Sequence, residues 1–429
     1  MSMSVNHKRT LLMKKIDCIT LSLAALFAVN AHALNLEEAV KKALDNNFDI
    51  QGKNYDYIES LENVKLNNSN YLPKLDASYG YTNTDKPNVG FKSDDITASL
   101  KLSYNLFNGF KDLASKESAK YLSLSSQYAL NATKQDIVLN TKTAYINYLD
   151  KQNALETYNS AYLLFQEQFE DSQNRYDQGL IAKNDLLQVQ VNMSSAKQNA
   201  VKAQGDLRVA KFQLSNILGG MNLDNETIEK LNDRHLQALS YDENLLENRS
   251  EIQALKMNLH SIKELEKSTK SGYYPKIDAS VSHNKYYDDF SQKAENKEDN
   301  QNIANVTATW NLYSGGYDSS LQTIYKTRYL SASSLLSKTK LDIKLQYENA
   351  KSNLEVSLDN LETSKLALQQ ATENYSIVKN RFDEGISTTT DLTDANYLLT
   401  QAKQGFNRAY FDKYLAISTL DRIIEKDSY

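Results

Sequence analysis

Four short segments of the chain alternate between apolar and polar residues. In the first segment, Leu75, Ala77 and Tyr79 point to one side, and Asp76 and Ser78 point to the other. The apolar positions of the other three segments are Ile96, Ala98, Leu100, Leu102, Tyr104 and Leu106; Ile277, Ala279 and Val281; and Ala304, Val306, Ala308, Trp310 and Leu312. A period of two predicts β-strands with one apolar face. Each strand would have roughly 9 to 12 residues, a length that crosses a bilayer at a tilt.

Two segments without proline or glycine predict two very long helices, at about 110–177 and about 317–383. Each would have roughly 67 residues and a length near 100 Å. Apolar residues recur every seven positions in both, as Tyr148, Leu155, Tyr162, Phe169 and Tyr176 in the first and as Leu354, Leu361, Leu368, Tyr375 and Phe382 in the second. A second seam is expected at Tyr158 and Phe165 in the first helix and at Ala371 and Val378 in the second. This spacing favours coiled-coil packing. Ordinary core stripes have the same spacing, and a soluble antiparallel sheet has the same alternation as membrane strands.

Three motifs occur twice and in the same order. The segment 71–78 (YLPKLDAS) recurs at 273–280 (YYPKIDAS), 202 residues later. The motifs NLFNG at 105–109 and NRYDQG at 174–179 recur as NLYSG and NRFDEG, both 206 residues later. The chain is therefore an internal duplication. Pro73 and its counterpart Pro275 each end a helix before a strand.

The duplication predicts a mainly α fold with membrane β-strands, built from a repeated helix-strand-strand-helix-helix unit. The first repeat is expected at 34–218, with a leading helix at 36–70, strands at about 74–83 and 95–107, and a long helix at about 110–177. The second repeat is expected at 243–425, with strands at about 276–285 and 302–313 and a long helix at about 317–383. A linker at 219–242 joins the repeats, and a tail at 426–429 follows.

The first 33 residues have the pattern of a secretory signal peptide. Lys8, Arg9, Lys14 and Lys15 form a basic start, an apolar run covers 19–29, and Ala31-His32-Ala33 gives a small-x-small cleavage pattern. An uncleaved membrane anchor is the alternative, but the apolar run is short for a membrane span. Cleavage after Ala33 would remove Cys18, the only cysteine.

Composition excludes several function classes. The chain has 13 glycines, 3 prolines and a mean hydropathy of −0.59, which indicates long helices and argues against a helical membrane protein. Its formal charge is −5, and since residues 1–33 carry +3, the remainder carries −8, which is not the balance of a nucleic-acid-binding protein. No metal-ligand spacing, glycine-rich phosphate loop or nucleophile motif is present in the sequence. We therefore expect no enzyme activity, no metal site and no cofactor.

Four membrane strands are too few to close a barrel, for which about eight is the minimum. Strand edges in lipid would leave backbone groups without hydrogen bonds. The strands must therefore be completed by other copies of the chain. Two copies would give a filled barrel of eight strands, and three would give twelve strands and a lumen.

With these motifs in this order, the chain resembles the TolC-like outer-membrane efflux proteins over nearly its whole length after residue 33. The resemblance implies a homotrimer with a twelve-stranded barrel in outer-membrane lipid, continued by a long α-helical coiled-coil barrel in the periplasm. It also implies an exit duct of a tripartite efflux pump or type I secretion system that exports drugs or proteins. The implied partners are a periplasmic adaptor protein and an inner-membrane transporter.

The resemblance further implies an acidic gate at the periplasmic entrance. Aspartates at the start of the last long helix ring that entrance in the family, and the matching residues here are Asp391 and Asp394. Structural roles are the alternative, because Asp391 can cap the helix and Asp394 would sit in its first turn. The first-repeat counterpart Asp185 has Gln188 three residues later, which suggests a capping box.

Two gate positions depart from the family pattern. The family has a tyrosine just before the turn glycine and an arginine shortly after it, whereas this chain has Phe382 and Ser387. A closed state must therefore be held by other contacts. The rival function is a periplasmic coiled-coil adaptor protein, which would share the signal peptide and the heptads but would not need four membrane-length strands.

Overall fold

The computed structural model describes residues 33–85, 94–231, 243–289, 292–293 and 300–426. The predicted signal peptide, apart from Ala33, lies outside the described residues. So do residues 232–242 of the predicted linker and residues 427–429 of the predicted tail.

Each repeat contains two long strands followed by two long helices, and the second repeat has a two-residue strand between its long strands. The first repeat consists of α1 (Leu36–Asn46), α2 (Phe48–Asn68), a 3₁₀ turn (Ser69–Tyr71), β1 (Lys74–Asn83), β2 (Asp94–Asn108), α3 (Lys111–Asp177) and α4 (Lys183–Ile217). The second consists of a 3₁₀ turn (Glu243–Asn248), α5 (Ser250–Thr269), a 3₁₀ turn (Lys270–Tyr273), β3 (Lys276–Asp289), β4 (Gln292–Lys293), β5 (Asn300–Thr309), α6 (Tyr317–Asp383) and α7 (Thr389–Ile423). The helices α3 and α6 have 67 residues each.

The leading helix of the first repeat is broken at Asn47, where the sequence predicted one helix over 36–70. The backbone of Asn47 is extended, with ψ 131°, and its side-chain oxygen accepts a hydrogen bond from Asp49 N at 2.9 Å. Its Nδ2 donates to the carbonyl of Ile217 at 3.3 Å. Asn47 therefore starts a second helix and ties it to the end of α4.

The strands form one antiparallel sheet in the order β1-β2-β3-β5, with the short β4 also paired to β3. The two repeats meet at its centre, because β2 pairs with β3 over most of its length. A register shift between Asn105 and Phe107 marks a bulge near the helical end of the sheet. The last strand ends at Thr309, so Trp310 and Leu312 lie beyond it, whereas the sequence predicted a strand to about 313.

One face of this sheet is apolar and exposed. Leu75, Leu102 and Val281 lie side by side in one row of the ladder, and the exposed fractions of their side chains are 65%, 46% and 55%. Polar residues such as Lys101 and Ser282 occupy the opposite face. Among the described residues, this apolar row of the sheet is therefore left uncovered by the rest of the chain.

The helices pack into a bundle around α3, which contacts α1, α2, α4, α5 and α7, while α6 packs against α5 and α7. The apolar core lies midway along the long helices, where Tyr145, Leu214 and Phe411 meet. The Tyr145 hydroxyl lies 2.9 Å from the carbonyl oxygen of Leu34 and 2.6 Å from that of Glu229. Leu34 in turn forms a parallel bridge with Ile228, which fixes both segments on the bundle.

The fully buried seam of α3 includes Phe165 of the second predicted seam rather than the aromatic stripe of the first. Tyr148, Tyr162 and Phe169 are only half-buried. The buried seam near the end of α3 is formed by Thr157, Ala161, Phe165, Gln168 and Ser172. The helix α3 buries 17 side chains and α6 only six, so most of the surface of α6 is open to solvent in the single chain. Across the described part of the chain, none of the helices combines the length and the apolar character needed to cross a membrane.

Candidate gate at the tips of the helical hairpins

Two tight turns form the ends of the long hairpins, one between α3 and α4 and one between α6 and α7. Gly179 and Gly385 occupy equivalent positions, and both have φ +76°. The amide after each glycine donates back to an arginine carbonyl, from Leu180 to Arg175 at 2.8 Å and from Ile386 to Arg381 at 2.7 Å. Both turns therefore have a left-handed helix cap in which glycine avoids the Cβ clash.

Asp391 belongs to a capping box at the start of α7. The backbone N–H of Thr388 donates to Asp391 Oδ2 at 2.8 Å, and the Asp391 N–H donates to Thr388 Oγ1 at 3.2 Å. The pKa of Asp391 is lowered mainly by the hydrogen bond with the Thr388 backbone and, to a smaller extent, by the hydrogen bond with the Thr388 hydroxyl. The exposed carboxylate is thus held ionised at the tip of the hairpin.

Asp185 does not form the capping box that the sequence suggested with Gln188. The residue at the N-cap of α4 is Ala182, whose side chain has no hydrogen-bonding atom, and no side-chain cap is present there. Asp185 Oδ1 instead accepts a hydrogen bond from Asn184 Nδ2 at 2.8 Å. The two repeats therefore differ in their caps because alanine stands where the second repeat has Thr388.

Asp394 lies six residues after the N-cap Thr388, in the second turn of α7 rather than in the first turn as predicted. Its side chain is exposed, while Leu392, Thr393 and Ala395 around it are buried. Residues three apart lie on the same side of a helix. Asp391 and Asp394 therefore share an exposed acidic face of α7.

Phe382 is buried, with 3% of its surface exposed, and it contacts the first hairpin. The Arg175 guanidinium carbon lies 4.3 Å from the centre of the Phe382 ring, and Arg175 Nη2 donates to the Phe382 carbonyl at 3.1 Å. Arg175 Nε also donates to Asp171 Oδ2 at 3.0 Å. Ser387 is half-buried, and its backbone N–H donates to the carbonyl of Arg381 at 3.1 Å.

A second link between the hairpins lies on the surface. Lys379 Nζ, on α6, is 3.0 Å from Glu167 Oε1, on α3. The hydrogen bond with Glu167 is the main cause of a raised pKa for Lys379. The pair is solvent-exposed and contributes at most about 1 kcal/mol.

A buried polar network, which the sequence analysis missed, joins α3 to α7 close to the tips. Gln168 Nε2 donates to the Thr389 carbonyl at 3.1 Å and to Thr393 Oγ1 at 3.0 Å, and Gln168 Oε1 accepts from Asn396 Nδ2 at 3.1 Å. Gln168 and Asn396 are 3% and 2% exposed. Polar residues at seam positions of a heptad pattern were the available signal, because such positions are usually apolar.

The tips therefore combine an exposed acidic face with links that hold two hairpins together within one chain. The links are Arg175 with Phe382, Lys379 with Glu167, and Gln168 with Asn396. Such an arrangement can attract cations and can resist separation of the hairpins.

Comparison with known proteins places both repeats in one family. The sequence profile of the family described as outer membrane efflux protein matches residues 39–220 and 243–424. The outer membrane protein TolC of Escherichia coli strain K12 is 23% identical over 419 residues, which cover 93% of this chain and 84% of TolC. The toxin and drug export protein A of Aggregatibacter actinomycetemcomitans is 24% identical over 250 residues, which cover 56% of this chain and 54% of that protein.

The fold is shared with solved outer-membrane channels. The CmeC outer membrane channel of Campylobacter jejuni superposes with a TM-score of 0.82 at 17% identity, over 92% of this chain and 86% of CmeC. The matched family is a family of transport channels and not of enzymes. An adaptor function, the rival hypothesis, does not agree with these matches. The chain belongs to the outer membrane efflux protein family, and it is an exit duct of the outer membrane.

Proposed function

We propose that three copies of the chain assemble into a closed twelve-stranded barrel in the outer membrane, continued by a helical tunnel through the periplasm. The observation that carries this proposal is the open sheet. Among the described residues, β1 pairs only with β2, and β5 is paired only with β3. Joining β5 of one copy to β1 of the next removes both edges, which lipid does not tolerate.

The helices support the same assembly. The outward surface of α6 carries exposed large apolar side chains along its length, among them Leu330, Leu341 and Leu366. The outward surface of α4 carries others, among them Val191 and Phe212. Neighbouring copies would cover both surfaces, and the burial of such side chains contributes roughly 25 cal/mol per Å².

Disulfide crosslinking tests the assembly, because residues 34–429 contain no cysteine. Ser78→Cys on β1 is combined in turn with Asn305→Cys, Thr307→Cys and Thr309→Cys on β5, all on the polar face of the sheet. We expect covalent species of two and three chains for at least one pair. The Ser78→Cys variant alone is the matched control and should give no trimer. Monomers only, both in this series and in native mass spectrometry of the detergent-extracted protein, would refute the proposal.

The acidic face at the tips is proposed as the entrance gate. In a trimer, Asp391 and Asp394 would form two rings of three carboxylates, which attract cations and repel one another when the tips close. Asp185, Phe382 and Ser387 would line or support the same entrance. The Arg175–Phe382 contact would take the place of the tyrosine and arginine contacts of the family pattern.

Block of single channels by a trivalent cation tests this gate. Asp391→Asn keeps an oxygen for the Thr388 N–H, so the double variant Asp391→Asn/Asp394→Asn removes charge with little loss of the cap. We expect the half-blocking concentration to rise about tenfold or more. Asp359→Asn, an exposed carboxylate in the middle of α6, is the control and should change it much less. Unchanged block in the double variant would refute the gate assignment.

The cargo is proposed from the relatives. One matched protein is named for toxin and drug export, which supports drugs or proteins as cargo and a periplasmic adaptor and an inner-membrane transporter as partners. Copurification of those partners with the tagged trimer tests this. Membership of an outer membrane family supports export through a signal peptide cleaved after Ala33, and N-terminal sequencing of the membrane-extracted protein should begin at Leu34.

A further inference from the structure

A cavity of about 960 Å³ lies on the polar face of the sheet, where the strands meet the helices. Its charged lining residues are Lys74, Lys101, Lys111, Lys276, Asp112 and Asp278. Four lysines against two aspartates give the lining a formal charge of +2. Leu72, Ser103 and Ser280 also line the cavity.

Both aspartates are already engaged by the protein. Asp278 Oδ2 lies 3.0 Å from Lys276 Nζ, and Asp112 Oδ2 accepts a hydrogen bond from Asn105 Nδ2 at 3.1 Å. Asp76 stands opposite Lys101 in the strand register but does not line the cavity. Because Lys276 and Asp278 neutralise each other, the excess positive charge comes from Lys74, Lys101 and Lys111, on three different elements, against the single charge of Asp112.

The floor of the cavity is closed by tight backbone contacts. A Cβ added to Gly109 would lie 2.7 Å from the Ser271 carbonyl oxygen and 2.9 Å from the Ser271 Cα. A Cβ added to Gly272 would overlap the carboxylate of Asp318. These two glycines let the start of α3, the turn before β3 and the start of α6 approach closely. The Gly109 contact is with backbone atoms, so it fixes the position of the turn that contributes Ser271 to the floor of the cavity.

The strand register places these lysines on one side of the sheet. Lys101 and Lys276 share the polar face, opposite the row of Leu102 and Val281. In the proposed barrel that polar face lines the lumen, so each copy would present one such cavity to the passing solute. The charge of this vestibule would be opposite to that of the aspartates at the helical tips.

We propose that this cavity is a binding site for organic anions in transit through the duct, specifically molecules that carry several sulfonate or carboxylate groups. This inference rests on the proposed trimeric duct. Lysine ammonium groups bind such anions as point charges on flexible stems, and Ser103 and Ser280 add hydroxyl donors.

The test uses the full trimer and a pyrene trisulfonate dye. The dye is titrated against detergent-solubilised protein by fluorescence anisotropy, and it is also added to single channels in a planar bilayer. In the variant Lys74→Gln/Lys101→Gln we expect at least a tenfold higher dissociation constant and half-blocking concentration. Lys285→Gln is the matched control, because Lys285 lies on the same sheet but on the opposite face, in register with Ala98. It should bind the dye as wild type does, and uncharged pyrene methanol should compete poorly in all variants.

The two measurements separate this inference from the assembly on which it rests. Equal dye binding by wild type and Lys74→Gln/Lys101→Gln overturns the inference, whatever the channel recordings give. A tenfold loss of binding in that variant but not in Lys285→Gln supports the site. If the variant loses binding in this way but the wild type forms no channel, the binding site is supported and the proposed trimeric duct is refuted.

Discussion

The guanidinium of Arg175 lies over the ring of Phe382, with 4.3 Å between the guanidinium carbon and the ring centre, and its Nη2 donates to the Phe382 carbonyl. The two residues are 207 positions apart, at the ends of α3 and α6. In the second repeat, the equivalent Arg381 is exposed. The duplication has therefore diverged, and the first-repeat arginine now holds the second-repeat aromatic residue.

Replacing Arg175 with glutamine should favour the open state of the channel. The variant removes a partly buried cation–π contact and a charge-assisted hydrogen bond, each contributing roughly 1–2 kcal/mol. A net loss of about 2 kcal/mol changes the ratio of closed to open states by about thirtyfold. Single-channel recordings of Arg175→Gln should therefore contain much longer open periods.

The matched control is Arg381→Gln, which removes the same charge at the duplicate position of the other turn. Its exposed side chain should leave the open periods within about twofold of wild type. Equal gating in wild type and Arg175→Gln would mean that this contact does not hold the tips together.

The hairpin tips illustrate what the sequence could and could not predict. The turn glycines and the start of α7 followed from local chemistry, because a left-handed cap needs glycine and an N-terminal turn favours aspartate. The Arg175–Phe382 contact could not be predicted, since packing alone brings residues so distant in sequence together. The missing cap at Asp185 was predictable in principle, because Ala182 offers no hydrogen-bonding side chain.

The buried Gln168–Asn396 pair should be strongly coupled in stability. Gln168→Leu leaves the Asn396 Nδ2 without its acceptor in a buried site, which costs about 1–3 kcal/mol. Asn396→Leu should cost a similar amount. The double variant Gln168→Leu/Asn396→Leu removes both partners of this bond but still deprives Thr389 and Thr393 of the Gln168 donor, so it should cost clearly less than the sum of the two single variants.

Thermal unfolding of the helices, followed by circular dichroism in detergent, measures this coupling. The control pair is Gln166→Leu, an (i, i+4) partner of the exposed Glu170, alone and with Glu170→Leu. That pair should be nearly additive, because its groups are hydrated when separated. Additive costs at Gln168 and Asn396 would contradict the role assigned to the network.

The long helices were the most predictable part of the fold. Sixty-seven residues without glycine or proline leave few alternatives to a helix, and α3 and α6 have that length. The choice of seam was less predictable. Tyr162 and Phe169 form the more apolar stripe, yet Ala161 and Gln168 are buried instead. Ala161 is buried because close helix packing favours small residues, and Gln168 is buried because α7 supplies its hydrogen-bond partners.

Stability should depend on pH through Glu251, at the start of α5. Burial alone would raise its pKa, but the hydrogen bonds from Arg249 and the charges of Arg422 and Arg249 outweigh burial and lower the pKa from 4.5 to about 2. Because folding lowers the pKa of Glu251, its ionised carboxylate stabilises the folded state at pH values above the pKa of the unfolded state. This stabilisation is lost as the pH falls toward the pKa of the folded state. At neutral pH, ionised Glu251 therefore contributes up to about 3 kcal/mol per chain to the free energy of unfolding.

Urea unfolding of wild type and Glu251→Gln at several pH values checks this. Wild type should be the more stable protein at pH 7, and the difference should shrink below about pH 4.5. Glu355→Gln, an exposed position on α6, should give no such pH-dependent difference. A difference between wild type and Glu251→Gln that stays constant from pH 7 to pH 3 would contradict the assignment.

Gly109 and Gly315 offer a matched pair for testing the junction between sheet and helices. They are 206 residues apart in the duplicated motif and have φ +67° and +64°. Alanine in this left-handed region costs roughly 1–2 kcal/mol at either position. At Gly109 the added Cβ also meets the Ser271 backbone at 2.7 Å, whereas at Gly315 it meets nothing within 4 Å. Gly109→Ala should therefore cost about 3 kcal/mol or more, since the backbone of the turn before β3 must move.

The yield of heat-resistant oligomer and the unfolding midpoint measure this difference. Gly315→Ala should assemble normally with a slightly lower midpoint, while Gly109→Ala should assemble poorly. Because Ser271 belongs to the floor of the basic cavity, Gly109→Ala protein that does assemble should also bind the pyrene trisulfonate more weakly than Gly315→Ala protein. Equal midpoints for the two variants would mean that the close approach of Gly109 to Ser271 does not limit the fold, and the fixed floor inferred for the cavity would then lose its support.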